Sequence, residues 1–254
     1  MVLKEFFQKH PKAALGFSGG VDSAFLLYAG KKYGADIRPY FIKTAFQPEF
    51  ELQDALRLTK ELGTELTVIA CDILSETQVA GNPPDRCYYC KSILFGTLKR
   101  QAVKDGYEVL LDGTNASDEA SDRPGMRAVQ ELKVLSPLRE CGLSKTEIRR
   151  LSREAGLFTW EKPSYACLAT RVPSGELITK ELLEKIEKGE AALTELGFSD
   201  FRIRLYHKAA RIQLPEQQLA LFLQKREAVL RKLEPYFDAV MLDLRVRESD
   251  LTNS

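Results

Sequence analysis

Histidine is scarce in this chain, and neither sign of charge is in clear excess. The two histidines, His10 and His207, are too few for a metal centre built on imidazole. The 37 basic and 36 acidic side chains nearly cancel, so the composition does not predict the broad positive surface of a nucleic-acid-binding protein. No apolar stretch has the length of a membrane span, and the N-terminal residues lack the pattern of a secretory signal. We therefore expect a cytoplasmic protein without a membrane or nucleic-acid partner.

Cysteine is also sparse, and its odd count of five argues against a disulfide framework. Cys87 and Cys90 form a Cys-x-x-Cys pair, and Cys167 stands alone. These three thiols are too few for a four-ligand zinc site, but they suit a four-iron cluster with one open iron. A redox dithiol at Cys87 and Cys90 stays open as an alternative. Cys71 and Cys141 are expected to be packing residues.

Strand and helix patterns alternate through the first 160 residues. The predicted strands cover residues 13–17, 36–43, 65–70, 107–111 and 134–138. The predicted helices cover residues 21–33, 49–62, 91–104 and 145–155, the last of them opened by a capping box at Ser144. Polar segments at 72–86 and 118–127 are expected to be loops. This alternation predicts an α/β fold with a doubly wound parallel sheet in a domain over residues 1–160.

The composition changes after residue 160. Residues 161–176 contain two prolines and have no clean period, which predicts an interdomain loop that carries Cys167. Beyond this loop, helices are expected at 179–196 and 215–233, and strands at 200–206, 210–214 and 237–242. The sequence therefore predicts a smaller C-terminal α+β domain over residues 177–254, for substrate binding or oligomerisation.

The six residues 18–23, Ser-Gly-Gly-Val-Asp-Ser, form the turn between the first predicted strand and helix. The glycines let the backbone approach an anion, and the N–H groups of the new helix point towards it with the positive end of the dipole. The pattern lacks the Gly-Lys-Ser/Thr of a Walker sequence. We expect phosphate contacts at Ser18, Gly19, Gly20 and Ser23; a tight turn without a ligand is the alternative.

The ends of two other predicted strands bring further candidates to the same edge of the sheet. Lys43 and Thr44 follow the second strand, and Gly113 follows the fourth. Because ligands bind at the carboxyl ends of parallel strands, we expect these residues beside the adenine of a nucleotide. A simple turn is an equal alternative for the segment around Gly113.

The turn at 18–23 resembles the PP-loop of the ATP pyrophosphatases, which split ATP between its α and β phosphates. With segments 82–91, 112–115, 123–125 and 163–171 it resembles the LarE sulfur transferases over nearly the whole chain. These act in biosynthesis of the nickel-pincer nucleotide of lactate racemase. The resemblance implies that ATP and Mg²⁺ are used to adenylate a carboxylate of pyridinium-3,5-biscarboxylic acid mononucleotide, with Asp22 helping to hold the Mg²⁺. Pyrophosphate is released, and the carboxylate becomes a thiocarboxylate.

Two sources of sulfur occur in the family that the chain resembles. Single-cysteine members consume the sulfur of the residue matching Cys167, whereas others hold a 4Fe-4S cluster on three cysteines and pass on an extra sulfide. Because Cys87 and Cys90 accompany Cys167 here, the cluster route is favoured and the sacrificial route is the alternative. The resemblance also implies a sulfide source and a homo-oligomer, with a hexamer as one candidate. A PP-loop tRNA thiolase is a further alternative.

The resemblance also assigns individual residues. Arg202 and Arg204 alternate on one predicted strand and face the same side, which suits an anion clamp, and by resemblance they bind the substrate phosphate. Arg171 and Glu190 are expected near the reacting sulfur of Cys167. Glu119 matches an acidic position of the family, and its role is open.

Overall fold

The computed structural model describes residues 1–118 and 124–247, and it divides into two compact units. The N-terminal unit contains Met1–Ile73 and Asp85–Lys162. The C-terminal unit contains Leu74–Pro84 together with the chain from Pro163 onward. Glu119 and Arg123, two positions of the family comparison, lie outside the described residues.

The elements within the described ranges are numbered in chain order. The strands are β1 (Lys12–Gly16), β2 (Asp36–Lys43), β3 (Thr67–Ala70), β4 (Leu110–Leu111), β5 (Arg202–Tyr206), β6 (Ala209–Gln213) and β7 (Val240–Leu242). The helices are α1 (Leu3–Lys9), α2 (Val21–Lys32), α3 (Glu49–Glu61), α4 (Thr77–Ala80), α5 (Arg86–Lys104), α6 (Pro124–Glu131), α7 (Pro137–Glu140), α8 (Lys145–Glu154), α9 (Lys180–Glu195), α10 (Leu219–Gln224) and α11 (Arg226–Leu233). None of these helices is long and apolar enough to cross a bilayer.

The N-terminal unit is built on a parallel sheet with the strand order β3-β2-β1-β4. Alternate residues of β1 face opposite sides, so that Ala13 and Leu15 join one apolar cluster and Ala14 joins another. The first cluster includes residues of α2 and α8, and the second includes Leu98 and Ala102 of α5. Helices therefore cover both faces of the sheet, and the predicted α/β class is confirmed.

Three predictions of local structure in this unit are wrong. The expected strand at 134–138 is reduced to one bridge between Leu135 and Leu111, because Pro137 opens α7 with its fixed φ. Pro124 likewise opens α6 inside the expected loop 118–127. Helix α5 begins at Arg86, five residues before the predicted start, and includes the Cys-x-x-Cys pair. No side-chain hydrogen bond caps the start of α5. Packing of α5 against α6 stabilises this first turn instead.

The C-terminal unit contains a second sheet with the order β5-β6-β7. Strands β5 and β6 form an antiparallel hairpin, in which His207 has a φ of +55°, and β7 runs parallel to β6. The predicted helix at 215–233 is interrupted at Lys225 and forms α10 and α11. Residues 74–84 belong to this unit through Asn82, whose side-chain amide donates to the carbonyls of Val172 and Pro173.

Two helical glycines provide a test of the packing of α2 on β2. A Cβ at Gly30 would lie 2.6 Å from Cγ1 of Ile37, whereas a Cβ at Gly96 of α5 would meet nothing closer than 3.7 Å. Gly30→Ala should lower the free energy of unfolding by about 1–3 kcal/mol through overpacking. Gly96→Ala should raise it by up to about 1 kcal/mol through helix propensity. Urea denaturation followed by circular dichroism measures both, and equal stability of the two variants would contradict this packing.

Candidate active site

The loop 18–23 is fixed by its own hydrogen bonds where β1 passes into α2. Gly19 has a φ of +72°, and a Cβ there would lie 3.2 Å from the backbone nitrogen of Ala55, so a larger residue is strained and crowded. The hydroxyl oxygens of Ser18 and Ser23 are 3.2 Å apart. The Gly20 N–H donates to the Ser18 hydroxyl, and the Ser23 hydroxyl donates to the Gly20 carbonyl. Because the loop opens the 12-residue helix α2, it has a geometry that suits an anion, and phosphate binding at this loop stays a prediction.

Asp22 lies in the first turn of α2 and is held by two side chains. Its Oδ2 is 2.6 Å from Nζ of Lys145, and its Oδ1 accepts a hydrogen bond from Asn115. Burial raises the pKa of Asp22 above its ordinary value, although the charge of Lys145 opposes the shift. A Cβ at Gly113 would lie 3.1 Å from the backbone nitrogen of Ser23. The structure therefore brings Asp22 and Gly113 together at the start of α2.

The turn after β4 explains how Asn115 reaches this position. Both the backbone N–H and the hydroxyl of Thr114 donate to the buried Asp112, which also accepts from the Ser136 hydroxyl. The Asn115 N–H donates to Asp118, and this second turn fixes the direction of the Asn115 amide. The segment is thus a turn that also supports Asp22, and a contact of Gly113 with adenine stays a prediction.

Lys43 and Thr44 lie at the end of β2, but both are engaged within their own turn. Nζ of Lys43 is 3.1 Å from a carboxylate oxygen of Glu49 and donates to the Gln47 carbonyl. The Thr44 hydroxyl and N–H both donate to Oε1 of Gln47. A direct contact of Lys43 or Thr44 with adenine stays a prediction, and the structure points to Gln47 as their common partner.

A cavity of about 150 Å³ opens beside the loop at the carboxyl ends of β1 and β2. Its wall is largely apolar and includes Gly16, Phe17, Ser18, Tyr40, Phe41, Ile42, Gln47, Leu94, Phe95 and Leu98. Its size suits the base of a nucleotide, next to a cradle for the phosphates. The sequence did not predict this cavity, because in the sequence Phe95 and Leu98 of α5 indicate only the apolar face of a helix.

In the C-terminal unit, Arg171 and Glu190 form a buried ion pair. Nε of Arg171 is 2.8 Å from Oε1 of Glu190, and Nη2 is 3.2 Å from Oε2. Glu190 also accepts hydrogen bonds from the Tyr165 hydroxyl and from the Ile203 N–H. Arg171 in turn donates to the Ala166 carbonyl, next to Cys167 in the chain. The pair therefore fixes the backbone that carries this cysteine.

Arg202 and Arg204 are brought together with two other arginines of the same unit. Burial, together with the charges of Arg171 and Arg247, lowers the pKa of Arg202 to about 10. Burial and the same two neighbours also lower the pKa of Arg204. Asp200 accepts from Arg247 at 2.9 Å and lies 3.8 Å from Arg202. The local excess of positive charge suits a bound phosphate, and phosphate binding by Arg202 and Arg204 stays a prediction.

The cysteines are distributed over both units. Cys87 and Cys90 lie three residues apart on α5 and so share one side of the helix, and Arg86 donates to the Cys87 thiol. Cys167 directly precedes the 3-10 turn Leu168–Arg171 in the C-terminal unit. Cys141 packs against the first apolar cluster, as predicted. Across residues 1–118 and 124–247, no three His, Cys, Asp or Glu side chains form a metal-binding group, and the cluster stays a prediction.

Comparison with known proteins identifies the family, although no protein-family model matches the chain. An uncharacterized protein of Synechocystis sp. is 36% identical over 225 residues, covering 87% of this chain and 83% of that protein. The pyridinium-3,5-bisthiocarboxylic acid mononucleotide synthase of Lactiplantibacillus plantarum is 33% identical over 236 residues, covering 92% and 86%. The chain belongs to the LarE family.

A more distant relative agrees with the LarE assignment. The tRNA-specific 2-thiouridylase of Thermotoga sp. is 25% identical over 194 residues, covering 59% of this chain and 54% of that enzyme. The predicted class of a LarE-type, ATP-dependent sulfurtransferase with a PP-loop is thereby confirmed.

The Arg171–Glu190 pair provides a test of the C-terminal site. Glu190→Ala should lower the free energy of unfolding by about 3–5 kcal/mol, because it leaves a buried guanidinium without its carboxylate. Glu195 is the matched control, since it lies on the same helix and pairs with Lys232 at the surface. Glu195→Ala should cost less than about 1 kcal/mol. Urea denaturation measures both variants, and similar losses would rule out a special role for the buried pair.

Proposed function

We propose that this LarE-family chain adenylates a carboxylate of pyridinium-3,5-biscarboxylic acid mononucleotide with ATP and converts it to a thiocarboxylate. The product class follows from the name of the relative from Lactiplantibacillus plantarum. The observation that carries the proposal is the cradle at 18–23, locked around Gly19 and placed beside a base-sized cavity. The product would enter biosynthesis of the nickel-pincer nucleotide.

The N-terminal unit supplies the groups for activation. The N–H groups of Gly19 and Gly20 and the hydroxyls of Ser18 and Ser23 would bind the phosphates of ATP, with the base in the cavity. Asp22 would hold the Mg²⁺ that accompanies ATP. An oxygen of the substrate carboxylate attacks the α-phosphorus, and the bond to the β-phosphate oxygen breaks as pyrophosphate leaves. The N–H groups of the cradle would offset the charge on this leaving group, and Mg²⁺, when held by Asp22, would supply further positive charge.

The C-terminal unit supplies the groups for the substrate and the sulfur. Arg202 and Arg204 would bind the phosphate of the mononucleotide, and the surplus of positive charge around them supports this role. Arg171, held by Glu190, positions the backbone of Cys167. A sulfur nucleophile then attacks the acyl carbon of the adenylate, the carbon–oxygen bond to AMP breaks, and AMP leaves with the electron pair.

Two sources of this sulfur are open to the chain. Cys87, Cys90 and Cys167 would hold a 4Fe-4S cluster, and the donor set of three thiols fits such a group. When bound, the cluster would supply a labile sulfide. The alternative is Cys167 itself, which would lose its sulfur and become dehydroalanine. The Cys-x-x-Cys pair on one side of α5 supports the cluster.

The activation step can be tested at Asp22. Asp22→Ala should lower pyrophosphate release at least a hundredfold, because the leaving group loses its metal contact. Asp36→Ala is the matched control, since Asp36 starts β2 at the opposite end of the sheet and should retain full release. Release is measured with a coupled pyrophosphate assay in the presence of the mononucleotide. Undiminished release by Asp22→Ala would remove the loop from the mechanism.

Anaerobic purification separates the two sulfur sources. Iron and sulfide analysis should give about four irons per chain, with a brown protein whose visible absorbance is lost in Cys87→Ser. Cys141→Ser is the control, because Cys141 packs against the core and should leave the iron content unchanged. A colourless protein whose mass falls on turnover by one sulfur and two hydrogens, the difference between cysteine and dehydroalanine, would contradict the cluster and establish the sacrificial route.

A further inference from the structure

The phosphate cradle contains no cation of its own. A Walker loop ends in a lysine that contacts the phosphates, whereas the residues 18–23 include only the anionic Asp22. Pyrophosphate is a strongly charged leaving group, and its departure requires compensating positive charge. Two lysines from distant parts of the chain approach the loop in the structure.

The first lysine is Lys145, the opening residue of α8. Its Nζ lies 2.6 Å from Oδ2 of Asp22, and its side chain is 25% exposed. The N-terminus of α8 is fixed twice, because the Ser144 side chain accepts from the Glu147 N–H and the Lys145 N–H donates to the Ser117 hydroxyl. Lys145 is therefore aimed at the start of α2 by a rigid helix end.

The second lysine is Lys162. Its Nζ lies 3.5 Å from the Gly19 carbonyl and 2.6 Å from Asp54, and its side chain is 15% exposed. Lys162 is positioned by the buried Arg149, which donates to the carbonyls of Trp160 and Lys162. Arg149 is four residues after Lys145 on α8, so both lie on the same side of that helix. Helix α8 thus carries Lys145 and, through Arg149, fixes the backbone of Lys162.

Each lysine is paired with a carboxylate that it can exchange for phosphate. Lys145 is paired with Asp22, which the proposed function assigns to Mg²⁺, and Lys162 is paired with Asp54. When Mg²⁺ engages Asp22, the carboxylate charge is shared with the metal, and the ammonium group gains a new partner in the polyphosphate. Both lysine side chains remain partly exposed, as such an exchange requires.

We propose that Lys145 and Lys162 bind the β- and γ-phosphates of ATP and stabilise pyrophosphate as it leaves, with Arg149 as a positioning residue. The proposal rests on the proposed function and deepens it, because it assigns the cations that the loop itself lacks. The two lysines contact the part of ATP that AMP does not contain. Their removal should therefore affect pyrophosphate and AMP differently.

Isothermal titration of the full chain with pyrophosphate and with AMP, both in the presence of Mg²⁺, tests this difference. Lys145→Met and Lys162→Met remove the charge and keep the length of the side chain. Each should weaken pyrophosphate binding about tenfold to a hundredfold and change AMP binding less than about twofold. Lys145→Arg keeps the charge and should retain most of the affinity for pyrophosphate. Lys12→Met is the control, since Lys12 stacks on Tyr107 at the start of β1.

The possible outcomes separate the two proposals. A wild-type chain that binds neither AMP nor pyrophosphate would refute the proposed function, and this inference with it. A wild-type chain that binds both, with methionine variants that bind pyrophosphate equally well, would refute the inference alone. An equal loss of AMP and pyrophosphate affinity would show that the lysines only support the loop, and this outcome also overturns the inference.

Discussion

The close contact between the loop 18–23 and the backbone of α3 is the constraint on which the nucleotide site depends. With its positive φ and its position against Ala55, Gly19 leaves no room for a side chain. In this loop Ser18, Gly20 and Ser23 bond to one another, and the start of α2 remains open to an anion. The base-sized cavity and the two lysines are organised around this fixed point.

Charge is distributed unevenly in a chain that is nearly neutral as a whole. A local excess of positive charge lies at the arginine cluster of the C-terminal unit, where Arg202 and Arg204 have lowered pKa values. In the N-terminal unit, Lys145 and Lys162 are each matched by a carboxylate. A count of charged residues averages these environments. It reveals neither the local excess of positive charge at the arginine cluster nor the two lysine–aspartate ion pairs of the N-terminal unit.

Features that depend on adjacent residues were predictable from the sequence, and those that depend on distant packing were not. The turn at 18–23 forms as predicted, and Ser144 caps α8, although the Glu147 carboxylate bonds to Arg150 and the second half of the predicted capping box is not formed. The first turn of α5 depends on α6, and the expected strand at 134–138 yields to Pro137. Contacts such as Lys162 with Gly19 join residues 143 apart, and no local pattern marks them.

The C-terminal unit is assembled from two separate stretches of chain. Asn82 bonds to Val172 and Pro173, which lie about 90 residues later in the chain. Residues 74–84 are therefore synthesised long before the rest of their unit. The N-terminal unit ends at Lys162 and can complete its sheet first, while the early stretch waits without a partner. If each unit folds as its chain emerges, the unit with the loop 18–23 is complete before the unit that carries Cys167.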